Sequence, residues 1–356
     1  MEQTPNIAQL KKQMAPYEQT DTRASIRQFL NTFPPLIILW YAAYLSLSVS
    51  YWLTLPILVV AAGFVVRNFI IFHDCCHQTF FKSRKANDIV GTFLGIVTLI
   101  PYQQWKNEHA IHHSTSSNLD KRGIGDIWIF TVEEYAAASL WRRIAYRIYR
   151  NPIVLFVLGP IAVFLIQYRF NRKGAKRKER LGNYLTNFLI VAVYAALGWV
   201  VGWQTLLLIQ GPIFLLSGSL GIWLFYVQHQ FEETYFEHEE EWSYVKAAVE
   251  GSSYYKLPKL LQWITGNIGF HHVHHLSPKV PNYNLEKAHN ASVPLQQATT
   301  ITIRESLTAL RFRLWDEERK QFIGFKQLRR VKKQNPQQQH QPSPTTSPLE
   351  KPIPAN

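Results

Sequence analysis

The sequence predicts an all-α integral membrane protein. The expected architecture is two transmembrane helical hairpins, about four spans, with re-entrant or interfacial segments and a cytoplasmic helical cap. Three observations lead there. Apolar residues make up 47% of the 356-residue chain, yet mean hydropathy is slightly negative, because those residues are bunched into long runs. Basic residues sit beside the runs and towards the C-terminal part, as the positive-inside rule requires of cytoplasmic loops. Histidines are concentrated where the runs end.

Residues 1–32 read as a polar cytoplasmic arm carrying Lys11, Lys12, Arg23 and Arg27, with no cleavable signal expected. The main domain is expected over 33–320. Its first two apolar runs, Phe33 to Val49 and Tyr51 to Phe72, are broken by a short serine-containing turn. Each approaches the roughly 20 residues that a span needs, so they form a hairpin returning the chain to its starting side at His73. A third run, Ile89 to Pro101, is too short to cross comfortably. A fourth, Pro152 to Tyr168, is interrupted by Gly159 and Pro160. Basic segments flank it on both sides, so it must return to the side it left.

Arg169 to Arg180 (RFNRKGAKRKER) is strongly basic and belongs on the cytoplasmic side. Tyr184 to Val201 and Leu206 to Val227 make the second hairpin, with a turn around Trp203 and a kink expected at Gly211–Pro212. Residues 321–356 form a tail, basic and then rich in Gln and Pro, whose final stretch from Asn335 is expected to be disordered. Counting only the two hairpins as spanning places every histidine cluster and both termini on the cytoplasmic face of the cell membrane.

The formal charge of +14 could suggest nucleic acid, but its distribution follows membrane topology, and no nucleic-acid partner is expected. Cys75 and Cys76 are the chain's two cysteines. On a helix adjacent side chains point about 100° apart, which rules out a structural disulfide between them.

Most of the thirteen histidines fall in four places. His73 and His77 (HDCCH) follow the second apolar run. His109, His112 and His113 (HAIHH) form the next group, His229 ends the last run, and His271, His272, His274 and His275 (HHVHH) complete the series. Spacings of three and four residues put side chains on one helix face, so HxxxH presents two imidazoles together and each HxxHH presents three. One such motif is a modest signal; two with an HxxxH are not chance. Imidazole suits zinc, copper, nickel and iron. Eight clustered histidines plus His229 are too many for one ion and suit two. The carboxylate type of di-iron site needs two ExxH pairs; the sequence has Glu286–His289 alone, read as coincidence. No HExxH zinc-protease motif is present.

HDCCH, HAIHH and HHVHH resemble the three histidine boxes of the membrane fatty acid desaturases. The likeness runs from about Thr32 to Glu318. The longer strings IIFHDCCHQTFFK, IHHSTSSNLDKRGIGDIW, LFYVQHQFE and GNIGFHHVHHLSPKVPNYNLE resemble the bacillus-type acyl-lipid delta-5 subgroup. The resemblance implies nine ligands to two iron ions cycling between Fe2+ and Fe3+: His73, His77, His109, His112, His113, His229, His271, His274 and His275. It also implies dioxygen as co-substrate, membrane phospholipid acyl chains as substrate, and ferredoxin or flavodoxin as the reductant. These acidic donors could be steered by basic surface at Arg169 to Arg180 or Arg311 to Lys320. His272 lies outside the three-four spacing and is expected to pack or to support a ligand. His238, His289 and His340 match no box and are expected to face solvent.

Asp74, Asn107, Glu108, Asp120, Asp126, Glu232 and Asn267 flank the ligands, and some of them should accept the second imidazole N–H. Trp105, Trp128, Trp223 and Trp263 are considered for the wall of an acyl tunnel, beside the alternative of interfacial anchoring. The rival activities are a membrane hydroxylase or carotenoid ketolase, which share the boxes. A histidine-rich transporter or sensor is disfavoured because the histidines lie at span ends rather than at the midplane.

Overall fold

The computed structural model describes residues 7–328; His340 and the Gln/Pro-rich stretch from Asn335 lie outside them. Two short helices lead, α1 (Ile7–Met14) and α2 (Thr22–Leu30). Asp21 caps α2 by accepting from the backbone N–H groups of Arg23 and Ala24. The N-terminal segment is well packed, with Leu10 and Met14 buried in the largest apolar core.

The first hairpin is α3 (Phe33–Ser46) and α4 (Tyr51–Cys76). Pro34 and Pro35 occupy the first turn of α3, where missing N–H groups cost nothing, and Ser50 caps α4. Ser46 and Thr54 hydrogen-bond at 2.8 Å across the turn, satisfying polar groups that lipid could not. The second hairpin is α9 (Arg177–Val201) and α10 (Trp203–His229). Its turn is Gly202, whose φ of +87° a side chain would strain, and α10 continues as one helix through Pro212. Among the described residues four segments are long and apolar enough to cross a membrane: Thr22–Ser46, Tyr51–Cys76, Arg177–Val201 and Trp203–His229. These are the two hairpins the apolar runs predict.

Between the hairpins lie α5 (Arg84–Val97), α6 (Tyr102–Thr115), α7 (Val132–Ala137) and α8 (Leu140–Tyr149). The third apolar run is the 14-residue α5, too short to span. It packs closely on α6: a side chain at Gly91 would collide with the Tyr102 ring. The fourth run forms two wide π-helical stretches, Val154–Leu158 and Ile161–Ile166, bent 69° from α8. The bend falls between Tyr149 and Val154, whereas Gly159–Pro160, expected to interrupt the run, lies inside continuous helix between the two wide turns.

After α10 come α11 (Tyr244–Val249), α12 (Lys259–Ile264), α13 (His271–Leu276) and α14 (Leu285–Asn290). Two small sheets, which the apolar pattern does not announce, tie this region together. Phe130–Thr131 pairs in parallel with Leu314–Asp316, which pairs antiparallel with Gln321–Ile323; Tyr254–Lys256 pairs with Thr300–Thr302. Their strands are two or three residues long, below the length at which alternation becomes readable.

Candidate metal centre and acyl cavity

Each histidine group sits where a helix ends. His73 lies in the last turn of α4, and His77 caps that helix; His229 is the last residue of α10. His109, His112 and His113 share one stretch of α6. The six-residue α13 carries the fourth group. All nine predicted ligands converge in two clusters, which requires the helix ends bearing them to lie on one side of the hairpins.

The first cluster contains His73, His77, His109, His113 and His274, with ligand atoms within 4.8 Å of one another. Nε2–Nε2 separations are 3.0 Å for His73–His274, 2.9 Å for His274–His113 and 3.1 Å for His113–His109. The second contains His112, His229 and His275. His271 joins it, its Nε2 lying 3.0 Å from that of His229 and 3.1 Å from that of His275. The clusters touch through the rings of His113 and His275, 4.4 Å apart.

The proton positions follow from the outer contacts. His73 Nδ1 faces an Asp74 oxygen at 3.1 Å, His112 Nδ1 faces Asp126 at 2.7 Å, and His229 Nδ1 faces the Gly251 carbonyl at 3.1 Å. Each acceptor requires an N–H at Nδ1, so each Nε2 turns a lone pair towards the cluster. The Nε2 atoms of His77 and His112 are buried and have no hydrogen-bond partner among the described residues. Buried lone pairs facing one another without a donor are costly unless a cation lies between them. Metal–imidazole bonds of about 2.1 Å at right angles separate neighbouring nitrogens by about 3 Å, the spacing found here. Burial first, and neighbouring imidazoles second, push His77, His109, His113, His271, His274 and His275 well below the usual imidazole range, leaving them neutral and able to ligate. The donor set therefore fits two metal ions.

Of the seven flanking polar residues, Asp74 and Asp126 hold ligand rings. Asp120 instead meets His238 at 2.8 Å. Asn107 donates to Glu179, Glu108 accepts from Gln104, and Asn267 donates to the Asn282 carbonyl. Glu232 offers its backbone carbonyl to Phe322. The Gly251 carbonyl escapes sequence reasoning because a backbone acceptor has no residue signature.

His238 is exposed, as expected. His289 is not: it is 8% exposed and its Nδ1 lies 3.0 Å from Nε2 of the fully buried His272. The turn Pro281–Asn284 folds α14 back against α13, and that contact is invisible in a linear motif. His272 thus points away from the clusters and packs, as its spacing predicts.

Beside the first cluster opens a cavity of about 700 Å³, within the usual range for small-molecule sites. Val66, Phe69 and Ile70 of α4, Leu224 and Phe225 of α10, and Leu155 of the π-helical stretch line it, and it reaches His73, His109 and His271. Trp105 belongs to the wall and stacks on His109, centroids 4.2 Å apart. Trp128, Trp223 and Trp263 do not line it. Cys75 and Cys76 are buried free thiols in the last turn of α4.

Comparison with known proteins points one way. Residues 50–306 match the family profile described as fatty acid desaturase. A fatty acid desaturase of Bacillus subtilis (strain 168) is 63% identical over 323 residues, covering 91% of this chain and 92% of that protein. The sn-1 oleoyl-lipid 12-desaturase of Anabaena variabilis is 27% identical over 259 residues, 70% of this chain and 71% of that protein. A chloroplastic omega-6 fatty acid desaturase of Spinacia oleracea is 26% identical over 255 residues, 67% of this chain and 54% of that protein.

Proposed function

This chain belongs to the fatty acid desaturase family, and on that premise we propose that it introduces a cis double bond at the delta-5 position of phospholipid acyl chains with a di-iron centre. It is a membrane oxidoreductase acting on acyl lipids. The observation that carries the finer reading is the apolar cavity that ends on His73, His109 and His271. The delta-5 position is supported by the strings flanking the boxes.

An unactivated methylene has no acidic proton and no leaving group, so acid–base or nucleophilic side chains have nothing to attack. Two irons held by the nine histidines would supply the oxidising power to remove hydrogen from such carbons, with dioxygen as co-substrate. Dioxygen takes up four electrons, two from the acyl chain and two from an external donor, and leaves as two waters.

The protein's own share is positioning and insulation. Val66, Phe69, Ile70 and Leu224 hold a methylene pair beside the histidines and exclude water. Asp74, Asp126 and the Gly251 carbonyl keep the Nδ1 protons in place, so the Nε2 lone pairs stay directed inwards. Ferredoxin or flavodoxin is the proposed reductant. Lys173, Lys176, Arg177, Lys178 and Arg180 are exposed, a basic surface suited to an acidic donor. The clusters and both termini are proposed to face the cytoplasm of the cell membrane, because this basic segment begins α9 on their side.

The test is expression in cells whose lipids are all saturated, followed by location of any double bond by mass spectrometry. A delta-5 cis alkene is expected. A bond elsewhere overturns the position, and hydroxylated chains would identify a hydroxylase instead.

A further inference from the structure

A second cavity, of about 430 Å³, lies outside the metal centre and shares no lining residue with the acyl cavity. Helices α2, α4 and α12 and the segment around Asn282 form its walls. Its charged lining groups are Arg27, Arg67, Lys259 and Glu286. Lys259 and Glu286 pair at 2.6 Å and offset one another, which leaves two guanidinium groups. Arg67 is 5% exposed and has no carboxylate within ion-pair distance among the described residues. It donates to Thr32 Oγ1 at 3.0 Å and to the Trp263 carbonyl, and its guanidinium carbon lies 3.9 Å from the centre of the Trp263 ring. Those two bonds use a minority of its five N–H donors. A buried guanidinium without a counter-charge is costly, and a bidentate oxyanion is its natural partner.

The surroundings select the kind of anion. On α2, Ile26 and Leu30 beside Arg27 are 48% and 57% exposed; on α12, Leu260 beside Lys259 is 68% exposed. Cations bracketed by exposed apolar side chains, where α2 runs into the α3 span, describe a lipid headgroup level rather than an aqueous surface. We propose that this cavity binds the phosphate of an anionic membrane lipid, at a site separate from the acyl substrate's.

The cavity wall is also connected to the metal centre. Gln28 Nε2 donates to Asn282 Oδ1 at 2.9 Å. Asn282 donates twice to one oxygen of Asp74, at 2.7 and 2.8 Å, and the other oxygen holds His73. A lipid seated here steadies the seam from α2 to the carboxylate behind a proposed ligand.

The test is native mass spectrometry of the full chain in detergent, offered phosphatidylglycerol, phosphatidylcholine or inorganic phosphate. Wild type is expected to retain phosphatidylglycerol in preference to phosphatidylcholine, and excess phosphate should not displace it. Arg27→Gln with Lys259→Gln, both at exposed positions, should weaken retention about tenfold. Equal retention of the two lipids, or undiminished retention by the double variant, overturns the proposal; displacement by phosphate marks a free-anion site and overturns it too. If the double variant does not fold, the three-probe comparison on wild type still decides. Catalysis is not read out, so this proposal and the desaturase reading can fail separately.

Discussion

Asp126 places a carboxylate oxygen 2.7 Å from His112 Nδ1, while the neighbouring Gly125 packs against the same histidine. The contact reaches from a loop to α6 and sets which imidazole nitrogen faces the cluster. Asp126→Asn keeps the shape but offers an amide that can turn its N–H towards Nδ1 and reverse the tautomer. Loss of such a carboxylate typically lowers metal affinity about 10- to 100-fold. Iron per protein, measured during titration with a chelator, should fall accordingly, and unchanged retention would remove Asp126 from the metal centre.

His272 and His289 provide the matching negative case. His289→Phe leaves His272 Nε2 buried without its partner, at a cost of about 1–3 kcal/mol. The expected result is a lower Tm with full iron content. His112→Ala or His274→Ala should instead remove both iron and product. Loss of iron in His289→Phe with Tm unchanged would contradict this division.

Gly221 lines the acyl cavity, and a Cβ there would meet nothing within 4 Å. Gly221→Leu therefore projects into the space proposed for the substrate rather than into protein. It should leave iron binding and Tm close to wild type while changing which chain lengths are desaturated, or where. Lipid mass spectrometry of expressing cells reads this directly, and an unchanged product spectrum would separate Gly221 from the acyl path.

His238 bridges Asp120 at 2.8 Å and Glu317 at 2.9 Å, and hydrogen bonds to these two carboxylates raise its pKa. A histidine whose folded pKa exceeds its unfolded value stabilises the fold fully below the unfolded pKa, about 6.5, and loses that contribution as pH rises through the folded pKa. Because the side chain is half exposed, the effect is small. The Tm difference between wild type and His238→Ala should be greatest at about pH 6 and fade at alkaline pH. A difference that grows with pH would refute the pairing.

The spans and the histidine groups were legible because both are local patterns. Apolar length marks Tyr51–Cys76 and Trp203–His229 as crossing helices without knowledge of their neighbours. Three-four spacing separates His271, His274 and His275 from His272, because helix periodicity alone decides which face each occupies. The short length of α5 predicted that the first two boxes share a side, and their nitrogens do meet.

Other features depend on which distant segments touch. His73 meets His274 across 201 residues, and Asn282 reaches Asp74 across 208. The burial of His289, the choice of Asp74 and Asp126 over Asn107 and Asp120, and the Gly251 carbonyl behind His229 are all contacts of this kind. Arg67 interrupts the apolar run Tyr51 to Phe72 with a charge to which periodicity assigns no partner, and its place over Trp263 comes from α12 folding back against α4. Hydropathy and periodicity report how a segment meets lipid or a generic core. They carry no information about the particular atom opposite, so the sequence alone determined the helices and the histidines, and tertiary packing decided their partners.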